Sequence, residues 1–368
     1  MIDRVRFENF KSLKDVTLEL DRLTVLVGHN GCGKSSVLQG LYLPSQAGRL
    51  AAQDEALQSV LRGRTASAVE DQPIEIHLHE RDGSELSFGL ADSEQGPATE
   101  IEVDGEQYSN ALLTPTITAM ILRNKVQRLT SAAYLTLDPS KMVKASVPDA
   151  GTPEMQVDGG GLASVLAWMK GAAEDEIALV TKDLCRVVPG VKRIRTFRQE
   201  IARRKHQKLD VDGQPVWRSV DEKVLGDRFE LEFDDGHSVP ADLLSEGTVL
   251  ALGLLTKLRE PTRPRMILLD DIDRGLHIEA QAKLVTVLRE LLEEIPELQI
   301  VCTTHSPYLL DRFKPEEVRL LALDEKRHTK ALTLTEHPEY EKWKFGTQTG
   351  ELWAALGDGW VKTSGASQ

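Results

Sequence analysis

Gly28-His29-Asn30-Gly31-Cys32-Gly33-Lys34-Ser35 follows Leu23–Val27, an apolar run that reads as a buried strand. The octet fits G-x-x-x-x-G-K-[ST], a loop whose glycines let backbone N–H groups turn inward around phosphate oxygens. Lys34 is placed to reach the β and γ phosphates and Ser35 to ligate Mg²⁺. The helix that starts near Lys34 aims its N-terminal dipole at the same anion. Cys32 has two readings: a thiol acidified by the helix N-terminus, or a small side chain filling a variable loop position.

Three later segments extend this chemistry. Met266 to Leu269 form a second apolar strand ending in Asp270 and Asp271. A carboxylate at such a strand end holds the Mg²⁺ shell and the next orients the attacking water, so Asp270 is assigned to metal and Asp271 to water. Asp273 is a third candidate, with helix capping as its alternative. A strand over Gln299 to Cys302 leads to His305, where a histidine beside the nucleotide can hydrogen-bond the γ phosphate. Ser245-Glu246-Gly247-Thr248 precedes an apolar helix and offers either a second anion site or an ordinary helix cap.

In this order the four segments resemble the ABC-type ATPase clan of SMC proteins, RecF and the OLD (overcoming-lysogenization-defect) ATPases. Arg6-Phe7-Glu8-Asn9-Phe10-Lys11-Ser12-Leu13 resembles the clan's first strand, and Asn30-Gly31 matches its loop. Ser245 to Thr248 falls at the signature and Gly275-Leu276-His277 at the D-loop. The tail Thr349-Gly350-Glu351-Leu352-Trp353 is similar to small stand-alone ATPases of bacterial defence operons. The resemblance implies an α/β fold: an ABC-ATPase head with a mixed sheet around the P-loop, an antiparallel β subdomain and a helical insert. It implies ATP and Mg²⁺ as cofactors, with Asn30, Gly31, Cys32, Gly33, Lys34, Ser35 and Ser36 on one face of the nucleotide. Ser245, Glu246 and Gly247 of a second subunit take the other face, and Lys11 and Ser12 lie toward the base or ribose. The catalytic set is Lys34, Asp271 and His305; the metal ligands are Ser35 and Asp270. The clan has glutamate where this chain has Asp271. A carboxylate one methylene shorter, misplaced by ~1 Å, costs about 100-fold in rate, so slow hydrolysis is expected.

Composition narrows the class. Among 368 residues, 40% are hydrophobic and the net charge is −13. No apolar run approaches a membrane span, no signal peptide pattern opens the chain, and Cys32, Cys185 and Cys302 form no zinc or disulfide pattern; a cytoplasmic protein is expected. The acidity argues against a surface that coats nucleic acid throughout. Residues 182–208 nevertheless hold ten Lys/Arg against Asp183 and Glu200, densest from Lys192 to Lys208. This cluster reads as a phosphate contact, or as a solvated face or a patch that docks acidic groups of this or another chain.

Three segments are expected: residues 1–137, a lobe with the P-loop and antiparallel strands; 138–215, a helical and basic insert; and 216–368, a lobe with the signature, the paired aspartates and His305. Alternating Ile74, Ile76 and Leu78, then Asp-Gly turns at 82–83 and 104–105, predict β-hairpins. Helical spacing marks 116–132 and 161–187, and 46–70 reads as a helix or excursion. No heptad persists, which excludes a long coiled-coil rod. The expected function is ATP-driven homodimerisation controlling a separately encoded effector, such as a nuclease, in anti-phage defence. The alternative is a RecF-like DNA-repair clamp.

Overall fold

The computed structural model describes residues 1–45, 72–93, 96–109, 131–148, 151–211, 214–260, 262–344, 346–357 and 359–363. The excursion expected at 46–70 and all but the end of the helix expected at 116–132 lie outside the described residues. In chain order the main elements begin with β1 (Ile2–Phe10), β2 (Leu13–Glu19), β3 (Leu23–Val27) and α1 (Lys34–Tyr42). Next come β4 (Ile74–Glu80), β5 (Glu85–Ser93), β6 (Gly96–Val103), β7 (Glu106–Ser109) and β8 (Ala132–Leu135). Then follow α2 (Leu162–Ala172), α3 (Glu174–Val187), β9 (Val191–Val211), β10 (Gln214–Phe233), β11 (Ser238–Pro240) and α4 (Glu246–Arg259). The last are β12 (Met266–Leu269), α5 (Ile278–Glu294), β13 (Gln299–Thr303), β14 (Val318–Leu323) and β15 (Thr329–Thr333).

The chain divides into two discontinuous units. One comprises Met1–Leu135, Pro264–Arg274 and Val285–Gln368; the other comprises Thr136–Arg263 and Gly275–Leu284.

The first unit contains two six-stranded sheets. One has the order β2-β1-β4-β5-β6-β7 and is antiparallel throughout. Its strands alternate buried and accessible residues, because one face carries Val5, Phe7, Ile74, Ile76 and Phe88 into the core. Asp104 and Gly105 both take positive φ in the turn joining β6 to β7, as the Asp-Gly pair predicts. The other sheet has the order β15-β14-β3-β13-β12-β8, parallel from β14 to β8, with β15 antiparallel at its edge. Every residue of β3, β12 and β13 is buried, as continuous apolar runs in a parallel sheet require. Helix α1 joins the same core through Val37, Leu38 and Leu41. Gly40 allows close approach there: a Cβ would fall 2.5 Å from the Phe7 ring. After β15 the chain adds short helices at Tyr340–Trp343, Thr349–Leu356 and Gly359–Thr363.

The second unit holds α2 and α3, which occupy the range expected to be helical, and a three-stranded sheet β11-β10-β9. The basic stretch that follows the helices is strand. β9 and β10 pair antiparallel from Val191↔Phe233 to Val211↔Gln214, so the expected boundary at residue 215 falls inside this hairpin. Helix α4 is buried from Gly247 through Arg259. Its last turn carries Lys257 and Arg259, which favour a helix C-terminus. Both are buried and paired: Lys257 with Glu260 at 2.7 Å, and Arg259 with Asp183 at 2.9 Å. Burial pushes the Glu260 carboxyl above its usual range, although Lys257 opposes the shift.

Candidate functional site

The strand order β3-β13-β12 brings three of the four sequence segments to one edge, since each follows the C-terminal end of a neighbouring parallel strand. After β3 the loop from Gly28 to Gly33 turns through three glycines of positive φ: Gly28, Gly31 and Gly33. Two of these positions have no room for a side chain. A Cβ on Gly28 would lie 2.1 Å from the Leu321 carbonyl oxygen, and one on Gly33 would lie 2.5 Å from Thr329 Oγ1. The β14–β15 hairpin therefore braces the loop. Thr329 Oγ1 donates to the Cys32 carbonyl at 2.9 Å and lies 2.8 Å from Ser12 Oγ.

Within the loop, Asn30 and Gly31 are exposed, Cys32, Gly33 and Lys34 are buried, and Ser35 and Ser36 are half-buried at the first turn of α1. Lys34 Nζ donates to the carbonyls of Gly28 and His29, at 2.8 and 3.1 Å. Gly33 is the N-cap of α1 and contributes no side-chain cap. Cys32 is buried against Gly28, which favours the filler role over a reactive thiol. Burial likewise raises the Cys302 thiol.

At the end of β12 the two aspartates take different environments. Asp270 Oδ1 accepts from the Thr303 hydroxyl at 2.7 Å, and Oδ2 accepts from the Tyr134 hydroxyl at 3.2 Å. Burial, then the charge of Asp270, pushes the Tyr134 phenol up, so it stays a donor. Asp271 adopts φ 52°, a left-handed conformation that aspartate tolerates better than most residues. Thr303 stabilises this turn from both sides: its Oγ1 accepts from Asp271 N at 2.8 Å and its carbonyl from Ile272 N at 3.1 Å. The Asp271 side chain is 54% exposed, and its Oδ1 lies 3.9 Å from His305 Nε2. Asp273 accepts from Thr304 Oγ1 at 2.6 Å, tying the β12 loop to the end of β13. The helix after it starts only at Ile278, so Asp273 is not its cap.

The structure thus gathers Lys34, Asp270, Asp271 and His305 at one sheet edge. Tyr134 and Thr303 join them unforeseen. A threonine preceding the histidine and a tyrosine ending a short strand carry no local signal; only strand adjacency makes them partners of Asp270.

The signature segment lies in the second unit. Ser245 is the N-cap of α4, its Oγ accepting from Thr248 N at 3.3 Å and lying 2.8 Å from Thr248 Oγ1. Gly247 packs on the backbone of Gly275, where a Cβ would fall 2.2 Å from the carbonyl oxygen. The signature glycine and the D-loop glycine are thereby locked together.

Among the described residues, the basic side chains from Lys192 to Arg198 are ion-paired within their own hairpin. Arg193 Nη2 lies 2.6 Å and Lys192 Nζ 3.5 Å from Glu232; Arg195 pairs with Glu230 and Glu232, and Arg198 with Asp227 at 3.1 Å. Arg193 holds the Glu232 carboxyl below its usual range. In register, Arg203 faces Glu222 and Arg204 faces Asp221; the side chains of Arg203, Arg204, Lys205 and Lys208 lie outside the described residues. Lys192, Arg193, Arg195 and Arg198 thus dock onto acidic groups of this chain.

Loop, paired strand-end acids and a following histidine on a mixed parallel sheet define an ATPase of the AAA/ABC type. Residues 23–311 match the family described as "AAA domain, putative AbiEii toxin, Type IV TA system", and the chain belongs to that family. A 60-residue segment is 37% identical to the Septu protein PtuA of Bacillus thuringiensis. That match spans 16% of this chain and 14% of the relative. Among solved structures, the Smc head domain with an extended coiled coil, from Pyrococcus furiosus and bound to the C-terminal domain of ScpA, superposes with a TM-score of 0.56. It covers 93% of this chain and 98% of that one at 11% identity, a likeness of fold. The fold is thus that of an SMC-like head. Among the described residues, no helix is long and apolar enough to cross a membrane.

Proposed function

We propose that this chain binds and hydrolyses ATP with Mg²⁺, and that ATP closes a head-to-head homodimer which controls a separate effector in anti-phage defence. The observation that carries the chemistry is Asp271 Oδ1 at 3.9 Å from His305 Nε2, beside a carboxylate already oriented by two hydroxyls. Ser35 and Asp270 suit magnesium, being hard oxygen donors. Each Asp270 oxygen takes one of these hydroxyls and keeps a lone pair for the metal or its water. Bound magnesium would offset the charge developing on the transferred phosphoryl group.

The remaining roles belong to side chains and amides of this chain. Lys34 exchanges its loop carbonyls for the β and γ phosphates. The amides of Gly31 to Ser36 cradle phosphate oxygens. Asp271 accepts a hydrogen bond from the attacking water, and His305 donates to the γ phosphate. The left-handed turn at Asp271 re-aims a carboxylate one methylene shorter than the clan's glutamate, consistent with slow turnover. Across the dimer, Ser245 to Gly247 present a second helix N-terminus to the nucleotide, and the locked Gly247–Gly275 contact keeps that end rigid.

Turnover and assembly test this together. Purified protein should hydrolyse ATP only with Mg²⁺, and Asp271→Asn should abolish turnover and accumulate an ATP-bound dimer in sedimentation. Unchanged turnover in Asp271→Asn removes Asp271 from the water-positioning role. The RecF-like alternative has less support, because the described basic side chains at the base of the hairpin are already ion-paired. DNA-stimulated hydrolysis by the protein alone would restore it.

A further inference from the structure

The geometry points to Tyr134 as a positioning residue for Asp270, at the end of a polar relay of side chains that starts at Lys11 and passes Gln39. This rests on the ATP and magnesium reading of the site.

Strand β8 lies parallel beside β12, with Tyr134 in register with Leu268, two residues before Asp270. The Tyr134 hydroxyl reaches Asp270 Oδ2, the carboxylate oxygen that Thr303 leaves free. Behind the phenol stands Gln39 of α1. Gln39 Oε1 in turn accepts from Lys11 Nζ. The phenol O–H itself donates to the Asp270 carboxylate.

The backbone supports the relay at its origin. Lys11 sits at φ 54° in the turn between β1 and β2, flanked by the buried Phe10 and Leu13, so its side chain starts from a fixed point. The Tyr134 ring is also held, packing at 6.0 Å between centroids against Tyr42 at the other end of α1. The helix that begins with Lys34 and Ser35 thus reaches the metal-ligand candidate on β12 through Gln39 and Tyr134. Second-shell donors of this kind set the orientation of a ligating carboxylate and hence its affinity for metal.

The test is metal affinity in the full-length protein. Mn²⁺ binding in the presence of ATP is followed by electron paramagnetic resonance of the free ion, alongside the Mg²⁺ concentration that half-saturates hydrolysis. Tyr134→Phe keeps the ring and removes only the hydroxyl. It should raise both values about tenfold, with ATP affinity in EDTA unchanged and hydrolysis recovering at high Mg²⁺. Gln39→Met, which leaves Tyr134 in place, should shift the metal dependence in the same direction by a smaller factor and serves if Tyr134→Phe folds poorly. Wild-type protein that binds Mn²⁺ with ATP while both variants match it overturns the relay alone. Wild-type protein with no metal-dependent ATP binding overturns the underlying site assignment, and the relay with it.

Discussion

Two helix N-termini, those of α1 and α4, follow loops that carry nucleotide-binding motifs, yet they are finished differently. α1 begins after Gly33, which supplies no side-chain cap, so its first amides remain available to an outside anion. α4 begins after Ser245, whose hydroxyl already caps Thr248 N. Their surroundings differ in the same sense. The α1 loop is held by backbone contacts and neutral hydroxyls from β14 and β15, while α4 is sheathed in apolar residues and anchored at its far end by buried ion pairs. One terminus leaves its first amides without a side-chain cap; the other is capped by its own serine.

The comparison breaks most visibly at Lys34. Lys34→Ala should lower hydrolysis by about 10²–10³-fold, with little change in melting temperature, because Lys34 contacts only loop carbonyls in this structure. A turnover assay beside a thermal melt separates the two effects. On the α4 side the large effect is on stability. Asp183→Ala removes the 2.9 Å carboxylate partner of the buried Arg259 guanidinium and should cost about 3–5 kcal/mol in urea unfolding.

Gly28→Ala tests the brace under the P-loop. At φ 143° and 2.1 Å from a backbone oxygen it cannot be accommodated without moving the loop. It should cost about 1–3 kcal/mol and weaken ATP binding, both measurable by denaturation with and without nucleotide. The smallest effects sharpen the contrast. Ser245→Ala should lose about 1 kcal/mol with the cap. Ser245→Asp keeps a good cap and near wild-type stability but sets a carboxylate against phosphate, so it should eliminate the ATP-dependent dimer. If Ser245→Asp still dimerises with ATP, the α4 terminus is a cap alone.

What could be read along the chain was whatever is local. The P-loop announces itself because strand, glycines, lysine and helix are consecutive, and the Asp-Gly turns of the antiparallel sheet do so for the same reason. Most of the β9–β10 hairpin was hidden. Arg193 stands against Glu232 and Arg198 against Asp227, and an apolar period of two marks only its end, where Phe229, Leu231 and Phe233 alternate with Glu230 and Glu232. The same pairing bears on the described part of the basic cluster: Arg193 and Arg198 look like phosphate contacts until their partners, 39 and 29 residues further on, are seen beside them.

The sequence by itself determined the class of chemistry, because each motif is a few contiguous residues whose backbone requirements only certain side chains satisfy. It also flagged Asp271 as the departure that matters. Only the tertiary structure decided that Asp271 sits in a left-handed turn stabilised by Thr303, and which hydroxyls hold Asp270. Those contacts join residues 33 and 136 positions apart, brought together by parallel strand order, and no local spacing encodes them.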